Sequence, residues 1–240
     1  MLTGDLIQRR INNFWGYGSL EAPVWLVGME EGLDPNHDVP QLDVRFQIAD
    51  GKATVDMRGD MKVLANHSKW FQAGAPIQST WKYPIALYLY LKNKRIPDKE
   101  EIRDHQVSVL GDSVRKETCT VELMPLPSQK AHESTWLYAN YGIAGLDTRE
   151  EYLATYKEAR VHKLKEQIDH YHPKLVIFFS LTYLPEWTDV IGSKPELVTP
   201  QMYFAQSNGT SFSIVPQSRF GMSYKRLYEY AALVAPKVVL

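Results

Sequence analysis

The chain has 240 residues, 44% of them hydrophobic and 23% charged, with a formal net charge of -1. Length and composition fit one globular domain with a sizeable core, and the near-neutral charge excludes a protein drawn bodily onto nucleic acid or anionic lipid. A single cysteine, Cys119, excludes an internal disulfide framework, an iron–sulfur cluster and a cysteine-rich zinc site. With an N-terminus that lacks an apolar signal-like core, and no run approaching the roughly 18 apolar residues of a membrane span, the expectation is a cytoplasmic protein.

A helical pattern over residues 6–14 precedes the first apolar run, "VWLVG" (24–28), which reads as a strand buried on both faces. That run stops at "GMEEG", expected as a tight turn bracketed by Gly28 and Gly32 with Glu30 facing a cleft. Residues 33–60 form a polar, Asp-rich excursion with room for a small strand pair. Helices are expected over 79–94 and 98–111, then a strand over 119–124. The clearest helix spans 148–172. Thr148 and Glu151 have the spacing of a capping box, Leu153, Tyr156, Leu164, Ile168 and Tyr171 keep a period near 3.6, and Pro173 stops it. A strand follows over 174–180. The Asn-Gly of "QSNGTS" places a hairpin within 200–216 that includes a fourth strand over 211–216. A last helix covers 223–236.

Strands alternating with helices predict an α/β fold: a three-layer α/β/α sandwich around a central, mainly parallel four-stranded sheet, with residues 1–240 in one domain. Ligands of such sheets bind beyond the carboxyl ends of the strands. That rule selects "GMEEG", "ELMPLPS", "SLTY" and "PQSRFGMS" as one rim.

"VWLVGMEEG" resembles the first motif of the uracil-DNA glycosylase superfamily, where a hydrophobic strand ends in a glycine, a variable residue and a catalytic Asp or Asn. Its single-strand-selective branch reads Gly-Met-Asn-Pro-Gly, and Gly28-Met29-Glu30-Glu31-Gly32 is similar to it. "HPKLVIFFSLTY" is similar to the family's third strand, and "SFSIVPQSRFGMS" occupies the place of the last motif, a strand ending in His-Pro-Ser. The similarity covers most of the chain in order and spacing. The departures are specific: Glu30 stands for Asp or Asn, Glu122 stands where the base-reading Asn falls, and Pro216-Gln217-Ser218 replaces the segment that carries the family's His.

The resemblance implies a glycosylase that flips a damaged or deaminated base out of single- or double-stranded DNA and hydrolyses its N-glycosidic bond in DNA repair, with no metal or organic cofactor. Glu30 then stabilises the oxocarbenium-like sugar and positions water, and Gln217, Ser218 and Arg219 face the leaving base. Gly28, Met29 and Gly32 shape the pocket, Trp70 or Phe71 stacks on the base, and Glu122 reads its edge. An ionised Glu122 accepts only and favours a donor-rich edge; protonated by burial, it accommodates uracil.

Plainer roles stand beside these. Glu30 and Glu31 serve equally as helix caps or solvated loop charges, Glu122 as a buried ion-pair partner, Trp70 and Phe71 as core, and Ser218 and Arg219 as loop formers. "DPNHD" (34–38) lacks the spaced partners of a metal site, and GMEEG is too acidic to cradle a phosphate. The competing functions are a catalytically silent module of the same fold that binds a nucleobase, nucleotide or protein, and a hydrolase of free nucleosides. A basic rim around Glu30 favours DNA, and an acidic rim favours a small ligand.

Overall fold

The apolar runs become strands because both of their faces find a core. The computed structural model describes residues 1–34, 36–65, 67–128, 136–217 and 221–240. In chain order these form α1 (Gly4–Asn13), β1 (Gly16–Tyr17), β2 (Val24–Gly28), α2 (Leu42–Ile48), β3 (Thr54–Val55), α3 (Lys82–Asn93), α4 (Lys99–Ser108), β4 (Thr118–Glu122), α5 (Arg149–Tyr171), β5 (Leu175–Phe179), α6 (Leu184–Ile191), β6 (Glu196–Thr199), β7 (Met202–Ser207), β8 (Thr210–Val215) and α7 (Tyr224–Val234).

Alternate residues of one strand face opposite sides of the sheet. Val24 and Leu26 of β2, with Leu175 and Ile177 of β5, pack against α3, α4 and α7 through Ile85, Ile102, Leu227 and Val234. Trp25 and Val27, with Val176 and Phe178, pack against α1, α2, α5 and α6 through Ile7, Phe46, Leu164 and Trp187. Helices therefore cover both faces of one α/β sheet.

The expected four-stranded sheet is too small. The sheet has eight strands in the order β3-β1-β4-β2-β5-β8-β7-β6 and is mixed. The four apolar runs form its centre, β4-β2-β5-β8, parallel throughout. The additional strands escaped a pattern reading for physical reasons. β1 and β3 are only two residues each. β6 lies at the edge and buries none of its residues fully. The expected hairpin is β7–β8, and its Asn208 (φ 51) and Gly209 (φ 82) take the two positive φ values of a two-residue turn that matches strand twist.

Two helices were not anticipated. α2 lies inside the polar excursion, which also contributes β3, paired parallel to β1. α6 is an eight-residue helix that starts on Leu184-Pro185, with proline in its first turn. At α5 the Thr148 side chain accepts from the Glu151 N–H at 3.1 Å, half of the expected capping box. The reciprocal box forms at α4, between Asp98 and Glu101.

"GMEEG" is not a tight turn. Leu123 and Met124 donate their N–H groups to the carbonyls of Gly28 and Met29, Ser128 donates to Glu31, and Gly32 bridges Ser128. The chain beyond β2 therefore continues extended beside the chain beyond β4. Gly32 has open space around a built Cβ and is not required there. Gly28 is required: a Cβ would stand 2.8 Å from Phe179 Cζ and 2.9 Å from Glu122 Oε2. Among the described residues no helix is long and apolar enough to cross a membrane.

Candidate functional site

From β2 the chain passes to β4 on one side and, after β4, to β5 on the other. The ends of β2 and β5 are thus the topological switch point at which open α/β sheets bind ligands. A cleft of about 520 Å³ opens there, within the approximate 300–1,000 Å³ range of small-molecule sites. Glu30, Thr120, Glu122, Phe179 and Gln217 all line it, so residues from the ends of all four central strands meet.

Glu30 and Glu31 are neighbours with different surroundings. Glu31 is saturated. It accepts from the Tyr17 hydroxyl, from Arg10 Nη2 at 3.1 Å and from Arg45 Nη1 at 3.4 Å. Both arginines are buried. Arg10 also donates to the Pro125 carbonyl at 2.8 Å and lies 3.8 Å over the Phe14 ring, and Arg45 reaches Asp38 at 3.2 Å. Burial and the Glu31 charge push the Tyr17 phenol up, so it remains a donor.

Glu30 pairs through Oε1 with Arg149 at 2.5 Å, while its Oε2 is shielded from solvent with no partner. Burial pushes the Glu30 carboxyl above the usual range, and the Arg149 guanidinium pulls it back. The Thr148 cap starts α5 one residue earlier and so fixes where Arg149 stands.

Glu122 closes β4 opposite Gly28. Its Oε2 is likewise shielded and unpartnered, and so is Thr120 Oγ1, two residues back on the same face. Among the described residues no arginine forms the anticipated ion pair with Glu122. Arg160 holds the backbone instead, donating to the Leu123 carbonyl at 2.7 Å and to the Glu122 carbonyl at 3.1 Å, with its guanidinium 3.4 Å over Trp15. Burial first, then the charges of Glu31 and Glu30, push the Glu122 carboxyl far up, with Arg10 opposing. Burial thus favours the protonated form of Glu122, which carries one O–H donor and one C=O acceptor.

Met29, Gly32 and Trp70 also line the cleft. Phe71 does not. It packs on the core, its ring 4.9 Å from His67 and 6.0 Å from Trp81. Gly28 lies beneath the Glu122 carboxyl and the Phe179 ring rather than in the wall. Gln217 lines the cleft, whereas Ser218 and Arg219 lie outside the described residues.

Pattern reading missed Phe179, although it lies near the end of the strand expected over 174–180 and closes the observed β5, where the rim rule points. It also missed Arg45 in the polar excursion and Arg149 in the expected helix, and Tyr17 and His67 in stretches between the expected elements. The charged lining is mainly acidic even without Glu122, with Glu30, Glu31, Asp34 and Asp38 against Arg45 and Lys69. A scan against protein-family models returns no match for this sequence, and a search of curated proteins returns none either.

Proposed function

We propose that the chain is a divergent uracil-DNA glycosylase-like protein that hydrolyses the N-glycosidic bond of one nucleobase held in this cleft. The observation that carries the reading is that Glu30, Thr120 and Glu122 line one cleft and each keeps a shielded side-chain oxygen without a partner among the described residues. Buried polar atoms without partners are rare and ask for a ligand or water.

A neutral Glu122 offers the donor–acceptor pair of an amide, which matches the lactam edge of a uracil- or hypoxanthine-like base. The ionised form sets acceptor against acceptor and is rejected. Phe179, under the same carboxyl, supplies an aromatic face for the base. Glu30 faces the sugar as its carbon–nitrogen bond breaks and stabilises the oxocarbenium-like charge, its own charge supported by Arg149.

The acidic lining favours a base presented on one extruded nucleotide or on a free nucleoside over a duplex pressed along the walls. On DNA this is repair chemistry, and the one buried thiol fits a reducing, cytoplasmic setting. The test is release of free base from uracil-, hypoxanthine- and xanthine-containing oligonucleotides, single- and double-stranded, and from the matching nucleosides. Release from a lactam base supports the reading; no release from any of them overturns it.

The second reading is a nucleobase-binding module without catalysis. The absence of the family's His favours it, since Gln217 stands at that rim. It predicts saturable binding of the same bases with no cleavage.

A further inference from the structure

The stretch "HSKWFQAG" beyond the polar excursion delivers a histidine into the cleft, where neither the sequence pattern nor the family resemblance puts one. His67 lines the cleft beside Trp70 and Lys69. Its Nε2 lies 2.7 Å from the Met57 carbonyl. A carbonyl only accepts, so Nε2 carries the proton and Nδ1 is the nitrogen with a free lone pair. The ring is held against Phe71 at 4.9 Å, which fixes its plane as well as its tautomer. No partner for Nδ1 occurs among the described residues.

We propose that His67 is the general base of this cleft, accepting through Nδ1 the proton of the attacking water. The inference rests on the N-glycosidic reading above and names the group that this reading leaves open. In the step, the water O–H bond breaks, its proton goes to Nδ1 and its oxygen bonds to the anomeric carbon. The carbon–nitrogen bond breaks and its electron pair leaves with the base. Glu122 passes its carboxyl proton to the base, and solvent then returns His67 and Glu122 to their starting states. Glu30 remains the carboxylate beneath the cationic sugar. Glu30 suits the sugar because Arg149 supports its charge through Oε1, and the Nδ1 lone pair of His67 is free to take the proton.

The charged groups around the imidazole are Arg45 from α2, Glu31 beyond β2, and Asp38, with Lys69 on its own turn. Burial pulls His67 below its usual range, Arg45 adds to that, and the Met57 bond, Glu31 and Asp38 oppose it. The imidazole is thus unprotonated and competent at neutral pH, and protonation at lower pH switches it off.

The experiment measures single-turnover base release from uracil- and hypoxanthine-containing oligonucleotides, and from uridine and inosine, against pH. His67→Gln keeps an N–H for Met57 and removes the base. It is expected to lower the chemical rate about 10²–10⁴-fold, leave KM within about threefold, and abolish the acid limb of the profile. His67→Ala is expected to regain rate with added imidazole, which a purely structural role does not allow. Wild-type cleavage with an unchanged rate or acid limb in His67→Gln, or a change confined to KM, overturns His67 while leaving the glycosidic reading intact. No base release by the wild type from any probe overturns both.

Discussion

Two carboxylates one residue apart divide the molecule into a brace and a cleft. Around Glu31 both carboxylate oxygens are answered: Tyr17, Arg10 and Arg45 converge on them, and Arg45 also reaches Asp38. Around Glu30 and Glu122 the accounts stay open, with an unpartnered oxygen on each and a third on Thr120. A saturated buried network rigidifies, and an unsatisfied one stores recognition for a ligand. The difference teaches that acidity at a strand end has no single meaning. Side-chain partners from distant elements, rather than position in the motif, decide which glutamate can act.

The comparison can be broken from either side. The largest effect is expected in the cleft: Glu30→Gln should lower the single-turnover rate of base release about 10²–10⁴-fold and, because it frees only Arg149, lower the urea midpoint less than Glu31→Gln. The brace should behave in reverse. Glu31→Gln leaves Arg10 and Arg45 without their buried counter-charge and should cost about 3–5 kcal/mol in urea unfolding, a result that a functional rather than structural Glu31 does not give. Gly28→Ala sits between the two. Its Cβ must displace the Phe179 ring and the Glu122 carboxyl, so a stability loss of about 1–3 kcal/mol should accompany weaker base binding.

The smallest effects are in pH dependence. Glu122 has a folded pKa raised above its unfolded value, so its contribution is fully present below the unfolded value and is lost as pH rises through the folded one. Glu122→Gln should therefore flatten the alkaline side of the stability profile and remove the alkaline limb of binding. Far from the cleft, buried His105 is pulled down to about 4 by burial. Its neutral form is the folded one, so stability should fall as pH drops from about 6.5 toward that value, and His105→Gln should blunt the decline in acid unfolding curves.

The centre of the fold was legible because β2, β4, β5 and β8 are buried on both faces and show it as unbroken apolar runs. The edges were not, because two-residue strands and an exposed β6 leave no period to detect. The cleft was legible at Glu30, Glu122 and Gln217, which sit just where the strands end. Arg149 was hidden in a helix start, Arg10 in a run of polar helix residues, and Arg45 in the excursion, since pairings over 119, 21 and 14 residues leave no local mark. Glu122 ends β4 inside the strand expected over 119–124, yet the upward push on its carboxyl shows only once Glu30, Glu31 and the covering of its Oε2 are known.

The central claim is that Glu30 and Glu122 are the ligand-facing carboxyls and Glu31 is not. Carboxyl ¹³C NMR of the full chain, titrated with uridine and with inosine, tests it directly. The account predicts that Glu122 is neutral near pH 7, that the Glu30 and Glu122 signals move on saturation, and that Glu31 stays still. Movement of Glu31 with Glu30 and Glu122 unchanged, or an ionised Glu122 at that pH, contradicts it.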